Sequence, residues 1–198
     1  MGEHEGVARL DPRIAADVLR ARSPNLTAVA QVLTFAGSEL VVGALAVAVL
    51  ATLLVRRSLW RAAVFALGMG GSAVLTVAVK LAVARPRPGA ADRLGPSDAT
   101  FSFPSGHTLN SLVFLVLIVW LLWSVAGRWR APLAVAAGVM AFGVGASRVY
   151  LGYHWTTDVL ASALVGTAWL CLVGLAAVPL RSLVSRFSDP APAPTSSS

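Results

Sequence analysis

Runs of apolar residues long enough to cross a bilayer restrict this chain more than any other feature. The first extends from about Thr34 to Val55, interrupted only by Glu39, and stops at Arg56-Arg57. The second covers about Ala62 to Ala84 and carries Lys80 near its end. Pro86 and Pro88 stop it, because proline neither continues a helix nor favours one just before it. The third spans about Leu109 to Val125 and ends at Gly127-Arg128-Trp129-Arg130. The fourth, about Ala131 to Ala146, is short for a bilayer and rich in Ala and Gly; the fifth runs from about Thr156 to Leu180. A spanning helix needs about 20 apolar residues, whereas a membrane barrel has short segments of alternating polarity. The continuous runs therefore predict an all-α integral membrane bundle of about five transmembrane helices. Glycines such as Gly68, Gly70 and Gly71, and the small residues of the fourth run, predict close helix packing.

Charge agrees with this fold. Only 13% of the 198 residues are charged, against about a quarter in soluble domains. The net charge of +7 is carried mainly by arginines scattered among short loops. Such an excess reads as headgroup contact and topology signal, and no basic stripe points to nucleic acid. A single cysteine, Cys171, excludes an internal disulfide and a cysteine-based metal cluster. Near the start, Asp11-Pro12-Arg13 is a good helix-initiation signal. The segment after it sets Ile14, Val18 and Leu19 roughly on one face, as in an amphipathic helix at the membrane surface; a solvated helix is the other reading. The opening residues lack the pattern of a signal peptide. The expected organisation is an N-terminal segment over 1–33, a transmembrane domain over 34–187, and a disordered Pro-, Ala- and Ser-rich tail over 188–198.

Three polar islands stand out against this background, and with five spans all three face one side of the membrane. The stretch Ser147 to Asp158 brings Arg148, His154 and Asp158 together. His154 and Asp158 are four residues apart, one helical turn. A carboxylate there can take the proton of one ring nitrogen and leave the other as a lone pair, making the histidine a nucleophile or base. The plainer reading is an aspartate that compensates a helix N-terminus. Lys80 to Pro88 supplies Lys80 and Arg87, which by themselves read equally as membrane anchors. Phe101 to Thr108 precedes the third span directly, so Ser105 can cap it, Gly106 admits close approach, and the first free amides form an anion site beside His107. Taken alone, that island is also an ordinary helix cap. Together the islands place three cations, free amides and two of the chain's three histidines on one face. This is the make-up of a phosphate site with its own nucleophile and acid.

Lys80 to Pro88 reads K-x6-R-P, Pro104 to His107 reads P-S-G-H, and Ser147 to Asp158 reads S-R-x5-H-x3-D. In order and in residues these resemble the type 2 phosphatidic acid phosphatase (PAP2) superfamily, which includes membrane lipid phosphate phosphatases. The resemblance implies His154 as nucleophile, His107 as general acid and base, and Asp158 as the residue that orients His154. It implies phosphate binding by Lys80, Arg87, Ser105, Gly106 and Arg148, with no metal and no other cofactor. It also implies a lipid phosphate or pyrophosphate substrate, such as a polyprenyl pyrophosphate or phosphatidate, hydrolysed through a phosphohistidine. Familiar bacterial members have six spans, one more than the runs give here.

Two other functions fit parts of the pattern. A lipid phosphotransferase would use the same phosphohistidine with an alcohol in place of water. A transporter would use Glu39, Lys80, His154 and Asp158 as a relay, but expects charges at mid-membrane, whereas these lie near span ends. Asp92 and Asp98 sit in a loop without histidine partners, so no metal cluster is predicted, and Glu39 receives no role. Arg56, Arg57, Arg61, Arg128, Arg130, Arg181 and Arg186 crowd the short loops and span ends opposite the islands. By the positive-inside rule that side faces the cytoplasm, which places the polar islands on the extracytoplasmic face and the lipid tail beside the third and fifth spans. The oligomeric state is not encoded in any of these features.

Overall fold

Capping and glycine chemistry divide the apolar runs into helices at places that periodicity alone does not reveal. The computed structural model describes residues 6–96 and 98–188. Its α-helices are α1 (Asp11–Arg20), α2 (Pro24–Ala36), α3 (Glu39–Val55), α4 (Leu59–Val83), α5 (Gly106–Leu122), α6 (Arg130–Tyr150) and α7 (Thr156–Ser188). There is no strand among the described residues, and the all-α membrane bundle is the fold. The expected tail falls, except for Ser188 at the end of α7, outside the described residues.

Three of the expected boundaries need correction. The first run is not one helix. It breaks at Gly37-Ser38, where the Ser38 hydroxyl accepts the Val41 amide and starts a new helix. The chain bends there by 41° between α2 and α3, and the pair together is apolar and long enough to cross. The fourth run is not short: Gly127–Tyr150 forms 24 helical residues, because the helix continues through Ser147, Arg148 and Tyr150 instead of turning there. The short segment is the third, α5, with 17 residues.

The shortness of α5 goes with its position. It packs against α3, α4, α6 and α7. Leu109, Val113 and Leu117 are buried along it, against Val42 of α3 and Phe65 of α4. In lipid, such contacts hold by close packing more than by exclusion of water. Small residues provide the approach at several crossings. A methyl group on Gly71 would fall 1.9 Å from the Trp169 ring, and one on Gly145 would fall 2.8 Å from Val159. Gly70 and Gly138 face open space, so those two expected packing glycines are not contacts within the chain. Outward-facing residues such as Val74, Val139, Phe142, Leu164 and Leu175 are two-thirds or more exposed, which suits a lipid-facing surface.

The N-terminal helix does form, and it docks against α6 and α7. Arg22 donates to the carbonyls of Tyr150 and Asp92. The Tyr150 hydroxyl receives the Ser23 amide and contacts Thr27. The segment before the first span is thus fastened to the same end of the bundle as the three polar islands.

Candidate active site

The centre of the site is built by the turn between α6 and α7. Arg148 lies in the last turn of α6, and its carbonyl receives the amides of Tyr153 and His154 at 3.0 and 3.3 Å. Between them Gly152 has φ +78°, and a methyl group there would stand 2.6 Å from the Asp92 carbonyl oxygen. Only glycine suits both the conformation and the space. The turn delivers His154, 3% exposed, against Asp158 in the first turn of α7. Asp158 Oδ2 accepts the Trp155 amide at 2.9 Å, so the carboxylate does start its helix. The same oxygen accepts the Ser102 hydroxyl and lies 3.5 Å from His154 Nδ1. That last separation is long for a hydrogen bond, and the pair interacts electrostatically in this resting state.

The other ring nitrogen faces a cation. Arg87 Nη1 stands 3.2 Å from His154 Nε2 and donates to the Tyr153 carbonyl at 2.8 Å. A guanidinium only donates, so this contact assigns the lone pair to Nε2 and the proton to Nδ1, toward Asp158. Burial foremost, with Arg87 and Arg148 adding to it, pushes the His154 pKa down from 6.5 to about 4, against the opposing pull of Asp158. The ring is therefore neutral, with its free nitrogen facing Arg87.

Arg87, Lys80 and Arg148 converge on one small volume. Arg87 Nη2 and Lys80 Nζ both donate to Thr100 Oγ1, at 2.8 and 3.0 Å. Arg87 Nη2 is 2.7 Å and Arg148 Nη2 3.9 Å from the same Asp98 oxygen, Oδ2. Arg148 is 5% exposed, with its guanidinium 3.9 Å from the Tyr153 ring centroid and Nη1 donating to Thr34. These contacts hold the planar group in one orientation.

Ser105 caps α5, its hydroxyl accepting from Thr108. Its own amide is taken by Ser162, whose hydroxyl donates on to the Asp158 carbonyl. Ser105 thus joins the start of α5 to the start of α7. The amides of Gly106 and His107 lie in the first helical turn, where no intrahelical acceptor exists. His107, in the same first turn, lies close to Arg148 and His154. All eight residues singled out in the sequence therefore gather at one end of the bundle.

Several groups there gave no usable sequence signal. Asp98 occupies the space between Arg87 and Arg148. Burial disfavours its charge, but hydrogen bonds from Thr100, with Arg87 and Lys80, hold its pKa below the usual value. Arg85 bridges Asp158 and Asp11, at 2.6 and 2.9 Å. Glu39, read from the sequence as a break in an apolar run, begins α3 with its Oε1 3.0 Å from the place a Gly106 side chain would occupy. The K-x6-R-P spacing singles out Arg87 and leaves Arg85 visible only as a charge, with no sign of its two carboxylate partners.

Among known proteins, the PAP2 superfamily matches residues 60–178. Phosphatidylglycerophosphatase B of Bacillus subtilis is 31% identical over 170 residues, covering 84% of this chain and 83% of that protein. An undecaprenyl-diphosphatase of Sulfolobus acidocaldarius is 35% identical over 82 residues, 41% of this chain and 36% of that one. The crystal structure of a transmembrane PAP2-type phosphatidylglycerolphosphate phosphatase from Bacillus subtilis superposes with a TM-score of 0.76 at 30% identity. It covers 86% of this chain and 87% of that one.

Proposed function

The chain belongs to the PAP2 superfamily and is a membrane phosphatase of that family, and from that premise we propose that it hydrolyses a lipid phosphate or lipid pyrophosphate through a phosphohistidine on His154. The observation that carries the reading is the ring of His154, with Asp158 at Nδ1 and the donor-only Arg87 at Nε2. Nε2 attacks phosphorus while the bond to the leaving oxygen breaks, and His107 gives that oxygen its proton. His107 then takes a proton from water as the water oxygen bonds to phosphorus, and the N–P bond breaks to restore His154. Lys80, Arg87, Arg148 and the amides of Gly106 and His107 hold the non-bridging oxygens throughout. Three fixed cations do the work that metal ions do in other phosphoryl-transfer sites, so no metal enters a step.

The lipid reading is supported by a groove of about 440 Å³ between α3 and α4, lined by Val42, Ala46, Val47, Leu50, Phe65 and Met69. Its polar end, at Glu39, Thr76 and Asn110, meets Gly106. A tail in this groove leaves the headgroup at the cationic cluster. A second, larger apolar groove of about 650 Å³ is lined by Leu112 of α5 and Val159, Leu160 and Ala163 of α7, and offers a tail the place expected beside the third and fifth spans. A phosphatidylglycerol phosphate and a polyprenyl diphosphate both satisfy this geometry, and they are the substrates named for two of the relatives. Arginine in the loops at the opposite end supports placing the site on the extracytoplasmic face.

The reading is tested with purified protein in detergent and excess EDTA, by phosphate release from a panel of lipid phosphates and diphosphates. At least one lipid should be hydrolysed at an undiminished rate. Acid-quenched wild type should carry an acid-labile phosphoryl group that His154→Ala lacks together with all turnover. Activity in His154→Ala, or activity lost in EDTA and restored by Mg²⁺, would replace this mechanism with another.

A further inference from the structure

We infer that Asp11, in the N-terminal helix and outside the segment the family matches, is a positioning residue for His154, acting through Arg85 and Asp158. The inference rests on the phosphohistidine reading and adds to it a residue that no motif contains.

Asp11 opens α1 and is 2% exposed. An amphipathic helix docked by its apolar face has no need of a buried carboxylate, and burying one without partners is costly. Every contact of this one points to the active site. Oδ1 accepts the Thr157 amide at 3.0 Å, and Oδ2 accepts the Thr157 hydroxyl and, at 2.9 Å, Arg85 Nη2. Arg85 in turn gives Nη1 to Asp158 Oδ1 at 2.6 Å and to the Thr157 hydroxyl at 2.8 Å. Asp158, itself fully buried, presents its remaining oxygen to His154 Nδ1. The order is carboxylate, guanidinium, carboxylate, imidazole.

The charge pattern gives this chain a consequence for the chemistry. Arg85 alone would neutralise Asp158 and leave His154 facing an ion pair of no net charge. With Asp11 on its far side, Arg85 is shared between two carboxylates, and the cluster presents one net negative charge to the ring. Bond formation at Nε2 while Nδ1 keeps its proton leaves the ring positive. A preorganised negative charge behind it stabilises the step. The shared guanidinium also fixes Asp158 by Oδ1, while the Ser102 hydroxyl and the Trp155 amide hold Oδ2. Arg87, Lys80 and Arg148, which bind phosphate, make no hydrogen bond or ion pair with Asp11 among the described residues, so substrate binding is separate from this effect.

The test uses the full chain in detergent with the lipid that the wild type hydrolyses best. Trapping of the acid-labile phosphoprotein on wild type establishes the phosphohistidine independently of Asp11. Against that background, Asp11→Asn should lower kcat per folded molecule about 10- to 100-fold, the range seen when an outer partner of a functional residue is removed. KM should stay within about twofold, and phosphoprotein formation should slow by the same factor as kcat. Once Arg85→Gln has cut the chain, adding Asp11→Asn should cost nothing further, since coupled residues are non-additive. Should Asp11→Asn fail to fold, Asp11→Ser, which keeps a small helix-starting polar group but removes the charge, should show the same lowered kcat at constant KM. An unchanged kcat in the variant that folds, or effects of Asp11 and Arg85 that multiply, would overturn the inference. A wild type that traps no phosphoprotein would instead overturn the mechanism on which it rests.

Discussion

At His154, burial and two neighbouring guanidinium groups oppose a proton, and this decides how the enzyme responds to acid. In the proposed mechanism only the neutral ring attacks, so the rate should fall as pH drops through the pKa of the free enzyme. Because that value is lowered from 6.5 to about 4, the His154 limb of kcat/KM should lie near pH 4. The measurement is kcat/KM between pH 3.5 and 8, divided by the fraction of substrate in its reactive ionic form. A limb that stays near 6.5 would mean that the ring is not desolvated in the working enzyme. Arg85 behaves in the opposite sense. Burial works against its charge, yet Asp11 and Asp158 overcome this and raise its pKa, so it stays cationic throughout this range. Lys80, Arg87, Arg148, His107, His154 and Asp158 were legible in the sequence because charge is rare in an apolar chain. Asp98 and Asp11 were not, since they reach the site from loop and terminal segments whose path no spacing records.

Helix boundaries matter to this site more than helix count does. The bend at Gly37-Ser38 brings Thr34 to Arg148 and Glu39 to Gly106, so residues given no role in the sequence lie at the end of the bundle that holds the candidate site. Continuation of α6 to Tyr150 makes Arg148 part of a rigid helix, and the turn that follows is confined to Leu151 to Trp155. That turn depends on one residue. Gly152→Ala puts a side chain into a left-handed conformation and against a backbone carbonyl, a strain of about 1–3 kcal/mol. The expected outcome is a lower thermal midpoint together with a loss of kcat larger than the loss of folded protein, because the turn carries His154. A change in midpoint alone, with kcat intact, would show that the turn relaxes without moving the ring.

For the whole molecule, the two ends of the bundle differ in kind. One end gathers every residue of the candidate site. The other carries the turn after α3, the connection between α5 and α6 and the end of α7, with Trp60 stacked edge-on to Trp120 and Arg181 over Trp60. Arginines and tryptophans at span ends are interfacial anchors. An orientation with that end in the cytoplasm has a direct check. In a Cys171→Ser background, a cysteine in place of Ala91 should react with an impermeant maleimide in intact cells, and one in place of Ser124 should react only after lysis. The reverse labelling pattern would put the site in the cytoplasm and remove the case for an outer-leaflet substrate.

The sequence by itself determined the medium, the fold class and the enzyme family. Apolar runs of bilayer length leave helices as the economical way to satisfy the backbone in lipid. Residues such as His107, His154 and Arg148 stand out because ionisable groups are costly there. Tertiary structure decided what those groups contact. Which arginine meets His154 and which braces Asp158, how Asp98 lies between Arg87 and Arg148, and why the N-terminal helix buries Asp11 all depend on contacts between residues far apart in the chain. Asp11 and Arg85 are separated by 74 positions and joined by a 2.9 Å hydrogen bond. Periodicity and motif spacing report only on near neighbours, so such a pair becomes visible only once the helices are packed.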